Sequence, residues 1–385
     1  MFQSLRSAGF HRWLAAITFS FSGILGALPA QAEIVIGQVV PISGVLESTG
    51  RQMVLGPKLW FDYVNSQGGI NGQKIRHVVV DDGYKIDQTI AKTKEVIEKE
   101  NPVALIGYAG TANIGELLKL GILEKANMPM VAPYTGGEPL RNPFNPWIFH
   151  IRASYMDETA HMVDHLATLN VKRIAVVFQD DAFGRSGLAG VEVAAAKHSA
   201  QIVAKAGYER NTDNVTEAIK TVANAKPNAV IIVGVNRPTA AFIKGYREAN
   251  GPGMLMSISV VDPAELVRLG GIDNVRGLAI TQPVPYPYSG VSPMVKEFHA
   301  IFKKFAPPGA TMSYTVFEEF LGARVLTEGI KRAGKNPTST SVLQALQSLG
   351  QFNLGGFVVN FSPNNRVGSR FVDLVVVGAE GRLLK

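Results

Sequence analysis

Cysteine is missing altogether from the 385 residues. Disulfide frameworks, thiolate metal sites and thiol nucleophiles are excluded at once, and any core must come from packing alone. Charge is sparse as well: 18% of residues are charged against 46% hydrophobic, and no low-complexity tract or run of like charges interrupts the chain. The formal charge of +7 is not gathered into a basic helix or arm. That excludes nucleic acid as an expected partner and leaves a mild preference for anions. No G-x-x-x-x-G-K-[ST] occurs and no G-x-G-x-x-G follows the first apolar run, so the common nucleotide-phosphate cradles are lacking. Long apolar runs are also scarce. The charge-free stretch 13–28 falls short of the roughly 20 residues a membrane-crossing helix needs.

That stretch has another reading. Arg6, His11 and Arg12 precede it and Ala30-Gln31-Ala32 follows, the basic start, apolar middle and small-x-small end of an export signal. Residues 1–32 are expected to be removed near Ala32, leaving a periplasmic protein. From there the chain alternates short β-branched runs with helical stretches. Strands are predicted at 34–40, 75–80, 103–106 and 130–132, with helices at 51–65, through Glu100 and at 114–126. In the second of these, Ile86, Ile90 and Ile97 share one face. After the proline-rich 139–146 a second such series begins, with strands at 173–178, 201–205, 229–233 and 254–259 and helices between them. Helices at 295–305 and 316–332 and strands at 357–359 and 371–377 complete the chain.

The fold class is α/β, two parallel-sheet α/β/α lobes joined by a multi-strand hinge. Lobe I is expected to comprise 33–151 plus 284–334, and lobe II 152–283 plus 335–385. The hinges are expected near 149–152, 283–287 and 334–337. Ligands of such open sheets sit beyond the carboxyl ends of the strands, so two facing edges make a cleft.

Several segments, in order, carry a resemblance. They are Ile36-Gly37 through Pro41-Ile42-Ser43-Gly44, Val64-Asn65-Ser66-Gln67-Gly68-Gly69-Ile70-Asn71-Gly72, Asp81-Asp82, Ile106-Gly107, Ala132-Pro133, 173–180 with Phe183-Gly184, and the helix at Tyr314. Together they resemble the branched-chain amino-acid (Leu/Ile/Val) binding proteins, periplasmic type I solute-binding proteins of ABC transporters. The resemblance covers 33–385. It implies an exported receptor that closes on a small, often carboxylate-bearing solute, needs no cofactor and serves an ABC permease, as a monomer. A periplasmic ligand-sensing receptor of the same fold is the alternative.

The candidate ligand contacts follow strands. Gly107-Tyr108-Ala109-Gly110-Thr111-Ala112-Asn113 leaves a strand and opens a helix, whose first N–H groups and dipole suit a carboxylate. Tyr108, Gly110 and Thr111 are its candidates, with plain helix capping by Thr111 or Asn113 the competing reading. Thr135 and Gly136 follow the next strand, and Thr49 lies beyond the first. From the second lobe come Phe183, where the family pattern often has Tyr, and Asn236, with Arg237 expected at a solvated rim. The resemblance also implies an acidic residue just after the 254–259 strand to hold a ligand's ammonium. Here that place falls on Ser259 or Val260, and Asp262, a candidate contact, comes late and precedes Pro263, where it reads equally well as the N-cap of the following helix. Either Asp262 reaches the ligand, or the ligand is not an α-amino acid.

Enzyme and metal readings are weaker. Phe183-Gly184-Arg185-Ser186-Gly187 misses the G-x-S-x-G spacing. Asp81-Asp82 before Gly83 reads as a turn. His161 and His165 with Asp157 have metal-compatible spacing but no further ligand in view, and a solvated helix face is the simpler reading.

Overall fold

The computed structural model describes residues 33–385; the expected export signal, 1–32, lies outside the described residues. The first series runs β1 (Ile34–Val40), α1 (Glu47–Ser66), β2 (Ile75–Asp81), α2 (Ile86–Glu100), β3 (Ala104–Ile106), α3 (Thr111–Lys119), α4 (Ile122–Lys125), β4 (Met130–Val131) and β5 (Ile148–Phe149). Its five strands form one sheet in the order β2-β1-β3-β4-β5, every pairing parallel. The β-branched strands are buried from both sides, as a parallel sheet covered by helices requires.

The second series runs α5 (Tyr155–Thr168), β6 (Arg173–Gln179), α6 (Ala182–Lys197), β7 (Gln201–Tyr208), α7 (Thr216–Ala225), β8 (Ala229–Val233), α8 (Asn236–Glu248), β9 (Met254–Ser257), α9 (Pro263–Gly270), α10 (Ile272–Val275) and β10 (Ala279–Gln282). After it come α11 (Pro293–Phe305), α12 (Tyr314–Arg332), α13 (Ser339–Gln347), β11 (Gly350–Asn353), β12 (Val358–Phe361), β13 (Asp373–Val377) and β14 (Leu383–Leu384). The second sheet has the order β14-β13-β10-β9-β8-β6-β7. Its last two strands join antiparallel.

α12 lies against α1, and the approach is close because Gly56 has no side chain. A Cβ there would stand 2.5 Å from the Val316 carbonyl. Trp60 meets Phe320 edge-on at 5.4 Å, and its indole N–H donates to Thr327 at 2.8 Å.

The tail divides differently from the sequence expectation. It had assigned 335–385 wholly to the second lobe. Leu346 of α13 instead packs on Gly329 of α12, and Phe361 of β12 meets Phe149 of β5 edge-on at 5.2 Å. Only β13 and β14 join the second sheet. The last crossover is therefore 362–372, not 334–337, which merely links α12 to α13. It runs beside the first crossover: His150 N–H donates to the Arg366 carbonyl at 2.9 Å and Gly368 N–H to the His150 carbonyl at 2.7 Å.

Candidate functional site

The carboxyl ends of the two sheets face each other, and the loops leaving them enclose a small cavity. The first lobe contributes Leu46, Tyr84, Ala109, Gly110, Thr111 and Tyr134; the second contributes Tyr155, Phe183, Val235 and Val260. The gap left between these side chains is about 10 Å³, roughly the room for one water, so the two walls meet almost in contact. Phe183 and Tyr155 meet edge-on at 5.3 Å. A wider mouth of about 600 Å³ lies outside it, lined by Ser48, Arg51, Asn236 and Arg237 together with Glu47 and Glu265.

The polar end of the cavity is the start of α3. Gly110 precedes the helix at φ +91°, and no side chain caps its first amides. The capping reading of Thr111 and Asn113 is thus not what the chain does. Thr111 and Thr135 share a hydroxyl hydrogen bond of 2.7 Å, and the Asn113 amide donates to Thr89 at 2.7 Å. Gly110 is required twice over: its φ is left-handed, and a Cβ would meet the Asn113 oxygen at 2.5 Å and the Tyr84 ring at 2.9 Å. Open helix-start N–H groups beside hydroxyls form a site for an anionic group.

Polar bonds tie the two sides together. The Tyr134 hydroxyl donates to the Ser259 carbonyl at 3.2 Å. Asn236 donates to the Thr49 hydroxyl at 3.1 Å and accepts from the Asp262 N–H at 2.7 Å. Arg210 gathers three loops: it donates to the Tyr84 carbonyl at 2.7 Å, to Asn113 at 2.6 Å and to Asp181 at 3.1 Å. Its guanidinium lies 3.9 Å from the Tyr84 ring centre. Asp181 in turn caps α6, accepting from the Phe183 and Gly184 N–H groups.

Of the sequence-predicted contacts, Gly110, Thr111 and Phe183 line the cavity. Thr135 supports it through Thr111. Thr49 and Asn236 meet across the mouth rather than inside. Gly136 is occupied as backbone, its carbonyl accepting from Tyr155 at 2.8 Å. Tyr108 is a correction. Its side chain is fully buried in the core of the first lobe, its hydroxyl 3.3 Å from Thr93, because the neighbouring Ala109 takes the cleft side. Asp262 is the second correction. Its carboxylate caps α9, accepting from Glu265 N–H at 2.8 Å, and it does not line the cavity. Arg237 pairs with Asp213 at 2.6 Å, both half-exposed, as a rim residue should. Asp81 and Asp82 hold the turn they precede, accepting from Gly83 and Tyr84 N–H groups. Asp157 is taken up by a capping box with Ser154 and by Arg370 at 2.9 Å.

Sequence reasoning missed Tyr84, Tyr155, Arg152 and Arg210. Tyr84 and Arg210 stand just beyond strands, a signal that could have found them; Arg152 and Tyr155 come after β5, which hydrophobic spacing does not mark. Arg152 sits fully buried in the first crossover, 3.2 Å from Glu318 and 4.6 Å from the Tyr134 ring centre. Glu158, also buried, accepts from Ser259 N–H and Oγ at 2.9 Å each and from Thr281 at 2.6 Å. Burial pushes Glu318 up to about 7 even with Arg152 opposing it.

The profile of the periplasmic binding protein family matches residues 33–382. A substrate-binding periplasmic protein from Ralstonia solanacearum superimposes with a TM-score of 0.88 at 37% identity, covering 91% of this chain and 99% of that one. A possible leucine/isoleucine/valine-binding protein from Rhodopirellula baltica superimposes at 0.87 with 26% identity, covering 93% and 98%. Leu/Ile/Val-binding protein homolog 7 of Brucella melitensis is 23% identical over 371 residues, 91% of this chain and 90% of its own length. Two facing sheets built mainly of parallel strands, a closed gap at their strand ends and a match from residue 33 almost to the last establish that this chain belongs to the periplasmic binding protein family.

Proposed function

We propose that the chain is the substrate-binding component of an ABC importer, capturing a small carboxylate in the periplasm by closure of its two lobes and presenting it to a membrane permease. The observation that carries the reading is the uncapped start of α3 opening into an aromatic cavity between the lobes. The carboxylate docks on the first lobe, against the α3 amides and the Thr111 hydroxyl. The second lobe then brings Phe183 and Tyr155 over the rest of the solute and excludes water, which strengthens every polar contact inside. Closure is a population shift driven by contacts made only when the lobes meet. The names of the Ralstonia and Brucella relatives agree with a solute-binding role.

A thermal-shift screen of amino acids, aliphatic and aromatic acids and dicarboxylates tests this. At least one small carboxylate should stabilise the chain, and Thr111→Val should weaken that ligand about tenfold, the loss of one hydrogen bond to a charged group. A chain indifferent to every acid would sink the reading.

A further inference from the structure

None of the acids around the cavity is among the residues that line it, and all but Glu319 are engaged elsewhere. Asp181 accepts from the α6 amides, Gln179 and Arg210. Asp82 accepts from Tyr84 N–H and Thr89. Glu158 is taken by Ser259 and Thr281, Glu318 by Arg152, and Asp262 by α9. Among these acids Glu319 alone has a carboxylate without a hydrogen-bond partner, and it is buried behind Gly107, outside the cavity lining. No carboxylate is among the lining residues. The aromatic faces offer no substitute seat for a cation, because two of them already hold one: Arg210 lies over Tyr84 and Arg152 over Tyr134.

Resting on the reading above, we infer that the cleft selects compact apolar monocarboxylates that lack an α-ammonium, and rejects the corresponding amino acids. An ammonium shut in this cavity would lose its water and find no counter-charge in the lining. A carboxylate has the reverse experience, since the open α3 amides and the helix dipole favour it. The rest of the lining, Leu46, Val235, Val260 and the rings, suits a branched or aryl tail.

Matched pairs differing only in the amino group test this by calorimetric titration of the chain: 4-methylpentanoate against leucine, and 3-phenylpropanoate against phenylalanine. The deaminated member of at least one pair should bind about 100-fold or more tightly than its partner. Val260→Asp places an acid in the lining; it should weaken the deaminated acid and bring leucine or phenylalanine into measurable binding. If leucine or phenylalanine binds the unaltered chain as tightly as its deaminated partner, the selectivity is wrong and the carboxylate receptor stands. If neither member of either pair binds while other acids do, the chosen tail class is wrong. If no carboxylate binds at all, both readings fall together. Should Val260→Asp not fold, the comparison on the unaltered chain decides alone.

Discussion

Glu318 lies 3.2 Å from a guanidinium, and its carboxyl is still pushed up to about 7, because burial outweighs the attraction of Arg152. In the unfolded chain the same group ionises near the ordinary 4.5. Between those values the folded chain binds the extra proton, so this group's contribution to stability is greatest at low pH and falls as pH rises from about 4.5 through 7. Denaturant midpoints of the wild type and Glu318→Gln, compared from pH 5 to 8, should therefore diverge: the wild type should lose stability relative to the variant by a few kcal/mol, roughly, across that window. A constant difference would mean that Glu318 does not titrate there. What was legible at this scale followed from position. Gly110, Thr111 and Phe183 leave strands and open helices, so their place at the cleft could be read. Tyr108 could not be separated from Ala109, since adjacent residues of an extended segment point to opposite sides and a shift of one reverses the assignment. Tyr84 adopts φ +62°, a conformation that no residue type at that position announces. Asp262 read equally well as ligand contact and as helix cap, and only the bond its carboxylate makes to the Glu265 N–H decides for the cap.

Arg210 follows β7, yet it holds the loop after β2, the start of α3 and, through Asp181, the start of α6. One planar fork with several donors and a stacking face can do this; an ammonium on a flexible stem cannot. Arg210→Lys keeps the charge and should nonetheless speed hydrogen exchange about tenfold in 82–86, 110–114 and 181–185, read by mass spectrometry without any ligand. Unchanged protection in all three segments would show that the loops are held by their own backbones. Elements with a strong period were readable before the structure. β1, β2, β6, β8 and the helices between them stand within a few residues of where hydrophobic spacing put them. β5 and β10 were not foreseen: they are short, and Ala279-Ile280-Thr281-Gln282 has no alternation to mark it. Whether α13 would pack on α12 or on the second sheet depends on contacts far apart in sequence, such as Leu346 with Gly329.

Thr49 and Asn236 are 187 positions apart and belong to opposite lobes. Their bond exists only while the lobes are together. Thr49→Val removes it with little change of shape, so the cost falls on the closed form alone. A bound carboxylate should dissociate about tenfold faster from this variant, while its ligand-free melting temperature stays within a degree or two of the wild type. An equal loss with and without ligand would place the bond in the stability of the fold instead. The two-lobe plan itself was open to sequence reasoning, because two series of alternating strands and helices cannot share one sheet edge. The path of the third crossover was not. Gly334 and Pro337 look like a hinge, whereas 362–372 earns that place through its backbone ladder to His150.

The chain's want of any thiol has a practical sequel. Ser48 and Arg237 stand on opposite walls of the outer mouth. Replacing both with cysteine creates the sole pair of labelling positions in the molecule. A donor and acceptor dye placed there would report, molecule by molecule and free of background, how often the jaws come together and how long a captured acid keeps them shut.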